Sequence, residues 1–210
     1  MGSLFSQSAR LPPRSKGPEA EYCLFGTALG TCGLIWTAQG IRGILLPEPT
    51  RAALVARAEE LGARPGTASG RAARLVEQLT RYAAGEPVDF DTVELDLAAV
   101  APFARAVYDC ARRIPWGMTS TYGGIARELG KPGAARAIGQ ALGKNPLPIV
   151  VPCHRVLGAS GVGGFSATGG ICLKEKLLVL EGIRRFAPDA RTAGPWARAT
   201  TSERRRSSGS

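Results

Sequence analysis

The chain has 210 residues, 44% of them hydrophobic and 21% charged, with a formal net charge of +10. That length and balance suit one large globular domain or two small ones, and no apolar run approaches the ~20 residues that cross a bilayer as a helix. Five widely spaced cysteines (Cys23, Cys32, Cys110, Cys153 and Cys172) and a single histidine without a CxxC pair argue against a disulfide framework and against a zinc site. Free thiols, no metal and no cofactor are therefore expected.

Residues 1–20 are rich in Pro, Ser and Gly without apolar periodicity and read as a disordered leader. They lack the continuous apolar stretch of a secretory signal, which points to a cytoplasmic protein. MGSLFS also fits the loose pattern for N-myristoylation, but a flexible leader is the simpler reading. From Tyr22 to Leu46 the chain alternates β-favouring residues with glycines (YCLFGTALG, TCGLIWTA, IRGILLP), which predicts short strands and tight turns. TRAALVARAEELG follows as a helix, with Thr50 as N-cap and Gly62 at its stop. RAARLVEQLTRYAAG is a second, with Leu75, Leu79 and Tyr82 on one face and Gly85 at its end. VELDL, residues 93–97, alternates as a last strand. These residues form an N-terminal α+β unit over 21–97, with no chemistry evident in it.

After Val100 the pattern turns helical. PFARAVYDCARRIPWG carries Pro102 in a first-turn position and stops at Pro115. Two short helices, about Tyr122–Leu129 and Ala134–Leu142, flank Gly130-Lys131-Pro132-Gly133, the layout of a helix-turn-helix. The second opens Gly-Ala-Ala-Arg. Small residues such as Ala135 let a helix N-terminus approach a phosphate backbone, and Arg136 beside it can reach into a groove. A solvated arginine on an alanine-rich helix is the plainer alternative. Charge is uneven: Lys+Arg number 7 against 10 Asp+Glu over residues 21–100, 10 against 4 over 101–182, and 7 against 2 over 183–210. An acidic first half joined to a basic second half and an arginine-rich tail suggests a polyanion partner, nucleic acid first.

IVVPCHRVLG, residues 149–158, sets the only histidine, His154, directly after Cys153. Taken alone the pair reads as a strand end with a buried thiol. An ordinary thiol has a pKa of about 8.5, so a nucleophilic cysteine needs a base. Adjacent residues of an extended chain point to opposite sides, which favours an indirect relay between the two over direct contact. Glu181 closes the helix LKEKLLVLEG just before Gly182, where a carboxylate is disfavoured by the helix dipole. Lys174, seven residues earlier on the same face, is placed to offset that charge.

Tyr122, Arg136, Asn145, PCHR (152–155), GFSATGG (164–170) and LLVLEG (177–182) together closely resemble the O6-alkylguanine-DNA alkyltransferases, over about residues 98–183. The resemblance implies an α+β protein: a small N-terminal α/β domain, then a mainly helical C-terminal domain (98–183) holding the helix-turn-helix and the active-site cysteine, then a basic disordered tail (184–210). It implies an irreversible, single-turnover transfer of the alkyl group from O6-alkylguanine, and O4-methylthymine, in double-stranded DNA to Cys153. His154 would deprotonate that thiol through a water, Glu181 would orient the histidine, and Asn145 would brace the turn. Tyr122 would donate a proton to the base, Arg136 would be the arginine finger, Phe165 and Ser166 would wall the pocket, and backbone groups around Val156 would read the guanine edge. A monomer without membrane association is implied, in the cytoplasm and with the nucleoid or nucleus according to host. GFSATGG is longer than the family's shortest pocket loops. Two rivals are weaker: a non-catalytic lesion binder would lack the acceptor cysteine, and a Cys-His hydrolase would place its histidine far from the cysteine.

Overall fold

The computed structural model describes residues 19–159, 161–184 and 197–198. Most of the expected leader and tail therefore lies outside the described residues. Strands β1 (Ala20–Thr27), β2 (Gly30–Trp36) and β3 (Ile41–Leu45) form an antiparallel meander. Helix α1 (Arg51–Glu60) follows, capped by Thr50, whose Oγ1 accepts from the Ala53 N–H at 3.1 Å; such a cap contributes about 1 kcal/mol. Strand β4 (Ala63–Pro65) then pairs parallel with β1, giving the order β3-β2-β1-β4. Nothing local announces β4, because three residues with an exposed Arg-Pro end carry no alternation. Helix α2 (Gly70–Ala83) buries Leu75, Leu79 and Tyr82 as its periodicity predicts.

Residues 93–97 do not form the expected strand. They make one isolated parallel bridge between Leu95 and Ile41, with the Ile41 N–H donating to Glu94 O and the Asp96 N–H to Ile41 O. The approach is close enough that a Cβ on Gly40 would sit 2.7 Å from Glu94 O. The Asp96 carboxylate is held by side chains: Thr37 Oγ1 donates at 2.8 Å, and Arg42 at 2.9 Å through Nη2 and 3.1 Å through Nε.

Helix α3 (Pro102–Arg112) opens with proline at its first position. Strand β5 (Met118–Thr121) leads into α4 (Tyr122–Glu128), which Thr121 caps by accepting from the Gly124 N–H at 2.9 Å. Six residues, 129–134, connect α4 to α5 (Ala135–Gly143), and Tyr108 of α3 donates to Ala141 O of α5, fixing the helix pair. Strand β6 (Val156–Leu157) pairs parallel with β5, and α6 (Gly170–Leu180) closes the unit. Within the span expected to be an unstructured tail, Ala197–Arg198 form β7, antiparallel to Met118–Thr119 on the free edge of β5. One apolar cluster joins Leu34, Ile41, Leu75 and Tyr82 to Val107, Ile114, Ile138 and Leu177. The two halves therefore share a core across the boundary expected at residues 97–98.

Candidate active site

Cys153, His154 and Arg155 form a single 3-10 turn rather than the extended segment expected from sequence. The approach to it is held from within. Asn145 spends both ends of its amide there: Oδ1 accepts from the Leu147 N–H at 3.0 Å, and Nδ2 donates to Val151 O at 2.8 Å and to Cys153 Sγ at 3.3 Å. Ile149, between the Leu147 and Val151 groups that Asn145 bonds, adopts φ 75°, a costly conformation for a β-branched residue. The His154 ring is carried onto Glu181 in the core, and no hydrogen bond joins it to the Cys153 side chain among the described residues.

His154 is wholly buried, with Nε2 2.7 Å from Glu181 Oε1. Glu181 is the C-cap of α6, and its side chain is also fully buried. Arg155 donates to it through Nε at 2.8 Å and Nη2 at 3.0 Å, and anchors its own guanidinium on Ile114 O. Tyr82 donates its hydroxyl to Glu181 Oε1 at 2.7 Å and lies 3.2 Å from His154 Nε2. Burial alone would raise the Glu181 carboxyl, but His154 and Arg155 hold it down at about 2. An ionised carboxylate can only accept, so the proton between it and the ring sits on Nε2. The lone pair is then on Nδ1, the one buried side-chain nitrogen or oxygen among the described residues without a hydrogen-bond partner.

Burial is the main influence on both reacting groups. It pushes the Cys153 thiol up, against the opposing pull of the Asn145 amide and the Lys174 charge, and it lowers His154 despite Glu181. The resting pair is therefore thiol and neutral imidazole. Lys174 does not offset Glu181 as expected from sequence. It is fully buried, and its Nζ donates to Val156 O at 2.7 Å and to Gly164 O at 3.3 Å, 5.8 Å from the centre of the Tyr122 ring. The cation on Glu181 is Arg155, its neighbour in the PCHR motif. Arg155 could have been suspected from that adjacency. Tyr82 could not, since at its helical spacing it reads as an ordinary core residue.

The other expected site residues surround this centre. Tyr122, half-buried at the start of α4, lies against Gly163, where a Cβ would come within 3.1 Å of its ring. Burial raises its phenol, which therefore stays protonated. Val156 is buried, and its carbonyl, already holding Lys174, retains a second lone pair. Phe165 packs partly on the main core, and the exposed Ser166 donates to Gly143 O at 2.7 Å. Thr168 ties the same loop to the N-terminal unit by donating to Glu48 at 2.8 Å. Arg136 stands exposed in the first turn of α5, apart from the buried cluster, beside a half-buried Ala135. Among the described residues, no three His, Cys, Asp or Glu side chains are grouped to hold a metal.

Residues 102–183 match the family profile described as 6-O-methylguanine DNA methyltransferase, DNA binding domain. A methylated-DNA–protein-cysteine methyltransferase of Mycolicibacterium paratuberculosis is 52% identical over 118 residues, covering 56% of this chain and 68% of that protein. The fold is similar to the crystal structure of Mycobacterium tuberculosis OGT in complex with DNA, with TM-score 0.64 and 38% identity over 80% of this chain and 96% of the other. It is similar also to the O6-methylguanine-DNA methyltransferase of Pyrococcus kodakaraensis, with TM-score 0.61 and 28% identity over 78% and 99%. A buried Cys-His-Glu centre on this α+β fold, with relatives this similar in both sequence and structure, places the chain in the methylated-DNA–protein-cysteine methyltransferase family.

Proposed function

We propose that this chain repairs duplex DNA directly, by moving the alkyl group of O6-alkylguanine, and of O4-methylthymine, onto Cys153. The observation that carries the reading is the His154 ring, held by Glu181 with its Nδ1 unpartnered next to the residue that bears the thiol. Nδ1 takes the thiol proton through one bridging water. The thiolate attacks the alkyl carbon, the S–C bond forms as the C–O6 bond breaks, and the bonding pair leaves with the purine. Tyr122 supplies a proton to the departing base, and the proton released from Cys153 balances the exchange, so thiol and alkylguanine become thioether and guanine. Asn145 Nδ2, 3.3 Å from Sγ, stabilises the thiolate as it forms. A thioether is not returned to a thiol by any group in the site, so each chain reacts once.

The target base must leave the stack, at a cost of a few kcal/mol that is smaller for a damaged pair. Arg136, exposed at the start of α5, fills the space left behind, and the small residues around it let that helix sit close to the backbone. Minor-groove docking of this kind reads little sequence, as repair at any lesion requires. The protein acts as a monomer. No helix among the described residues is long and apolar enough to cross a membrane. The rival reading, a lesion binder without chemistry, has no use for a buried thiol held by an amide.

The test is to incubate the full chain with a duplex bearing one O6-methylguanine, follow the methyl from the DNA to the Cys153 peptide, and repeat with His154→Gln. Transfer in the wild type, slowed at least about a hundredfold in the variant, is the expected result. Equal rates in the two proteins would overturn the relay.

A further inference from the structure

α2 belongs to the half of the molecule that carries no motif, yet it delivers a fully buried phenol onto the proposed relay. The Tyr82 ring is locked in place by Phe90, tilted at 5.9 Å, and by Trp116, edge-on at 5.4 Å. Among the described residues its hydroxyl is the one oxygen donor on Glu181 Oε1, which also accepts from His154 Nε2 and Arg155 Nη2. We infer that Tyr82 is a positioning residue of the reaction: its hydroxyl shares Glu181 Oε1 with the imidazole and thereby keeps His154 neutral, protonated on Nε2, with Nδ1 free to act as the base. The inference rests on the relay proposed above.

Three donors on one carboxylate oxygen divide its charge among them. Without the hydroxyl, Glu181 turns more of that charge on the ring, and the imidazolium gains. A histidine already protonated on Nδ1 cannot accept the thiol proton. The remaining groups facing the ring come from every side. Arg155 adjoins it in the turn, Lys174 approaches from α6, and both disfavour its protonation, whereas Glu181 favours it; Cys153 precedes it in the chain. Tyr82 itself cannot exchange roles, because burial and the Glu181 charge hold its phenol well above its ordinary value and keep it a donor. Folding does not demand the hydroxyl either. Phenylalanine keeps the ring contacts, and Oε1 retains two donors.

Because the chain has one histidine, isotope-labelled histidine reports His154 alone. In the wild-type full chain near neutral pH, the ring-nitrogen shifts should show a neutral ring protonated on Nε2. In Tyr82→Phe the ring should titrate at higher pH, and methyl transfer to Cys153 should be about tenfold slower near pH 7. That deficit should shrink near pH 9, where the ring is neutral again. A residue that merely fills the core would lower the unfolding midpoint and leave both the titration and the pH–rate profile unmoved, which would overturn the assignment. Should Tyr82→Phe fail to fold, the wild type still decides. A slowly exchanging Tyr82 hydroxyl proton with a cross-peak to the His154 Nε2 proton is required, and its absence overturns the inference. A wild type that leaves Cys153 unmethylated overturns the relay itself. A wild type that reacts while Tyr82→Phe matches it in rate and titration overturns the role of Tyr82 alone.

Discussion

Two carboxylates are buried among the described residues, and they are built differently. Asp96 receives Thr37, Arg42 and the Ala98 N–H, and fastens the end of the N-terminal unit to the β2–β3 turn. Its arginine partner keeps 30% of its side chain in solvent, and the cluster leaves no buried polar atom unpaired. Glu181 receives Tyr82, His154 and Arg155 with nothing exposed beyond a sliver of Arg155, and its cluster leaves His154 Nδ1 unpartnered. The first arrangement is closed and serves the fold. The second ends in an unused lone pair on the residue that follows Cys153, the incompleteness that the proposed relay uses.

Substitutions can break this contrast. Cys153→Ala should abolish methyl transfer completely while shifting the urea midpoint little, which pairs a mass assay with a denaturation curve. Glu181→Ala should both stop the reaction and destabilise by about 3–5 kcal/mol, since it strands Arg155 in the core. Asp96→Ala should cost only about 1–2 kcal/mol, because Arg42 can turn into water, and the folded fraction should react at the wild-type rate. If the two alanine variants lost equal stability, the distinction between closed and open clusters would fail.

Smaller effects sharpen the comparison. Arg136→Ala should leave stability unchanged and slow reaction with duplex substrate about tenfold, with much less effect on free O6-methylguanine; an equal loss on both would remove its role as finger. The acid range separates the clusters by pH. His154 and Glu181 both have folded pKa values below their ordinary 6.5 and 4.5. Their stabilisation is therefore complete above those values and is lost as pH falls through the folded ones. Asp96, also lowered, contributes only in the carboxylate range. The first loss of stability below about pH 6.5 should therefore belong to His154 and disappear in His154→Gln, as urea midpoints across pH would reveal.

What could be read from the sequence was whatever the chain writes locally. Thr50 and Pro102 announced their helices by cap chemistry, and the 3.6-residue spacing in α2 was accurate. Cys153, His154, Asn145 and Glu181 stood out because their residue types and order match a family pattern, and the structure gathers them around one turn. The misses are non-local. β4 and the β5–β6 pairing exist only through partners far along the chain. Residues 93–97 had a strand's alternation, but they find only a single bridge, from Leu95 to Ile41. Lys174 lay on the face predicted for it, yet serves Val156 and Gly164. Tyr82 lies 72 residues from His154, and nothing within α2 distinguishes a phenol that caps a carboxylate from one that fills a core.

The most direct test of the central claim is stoichiometry. A fixed amount of the full chain is exposed to increasing excess of duplex carrying O6-methylguanine, and methyl groups per chain are counted by intact mass with peptide mapping. The account predicts a rise to one methyl, on Cys153, and then no further reaction however much substrate remains. Continued repair by unmodified protein, or a methyl on any other residue, would contradict it.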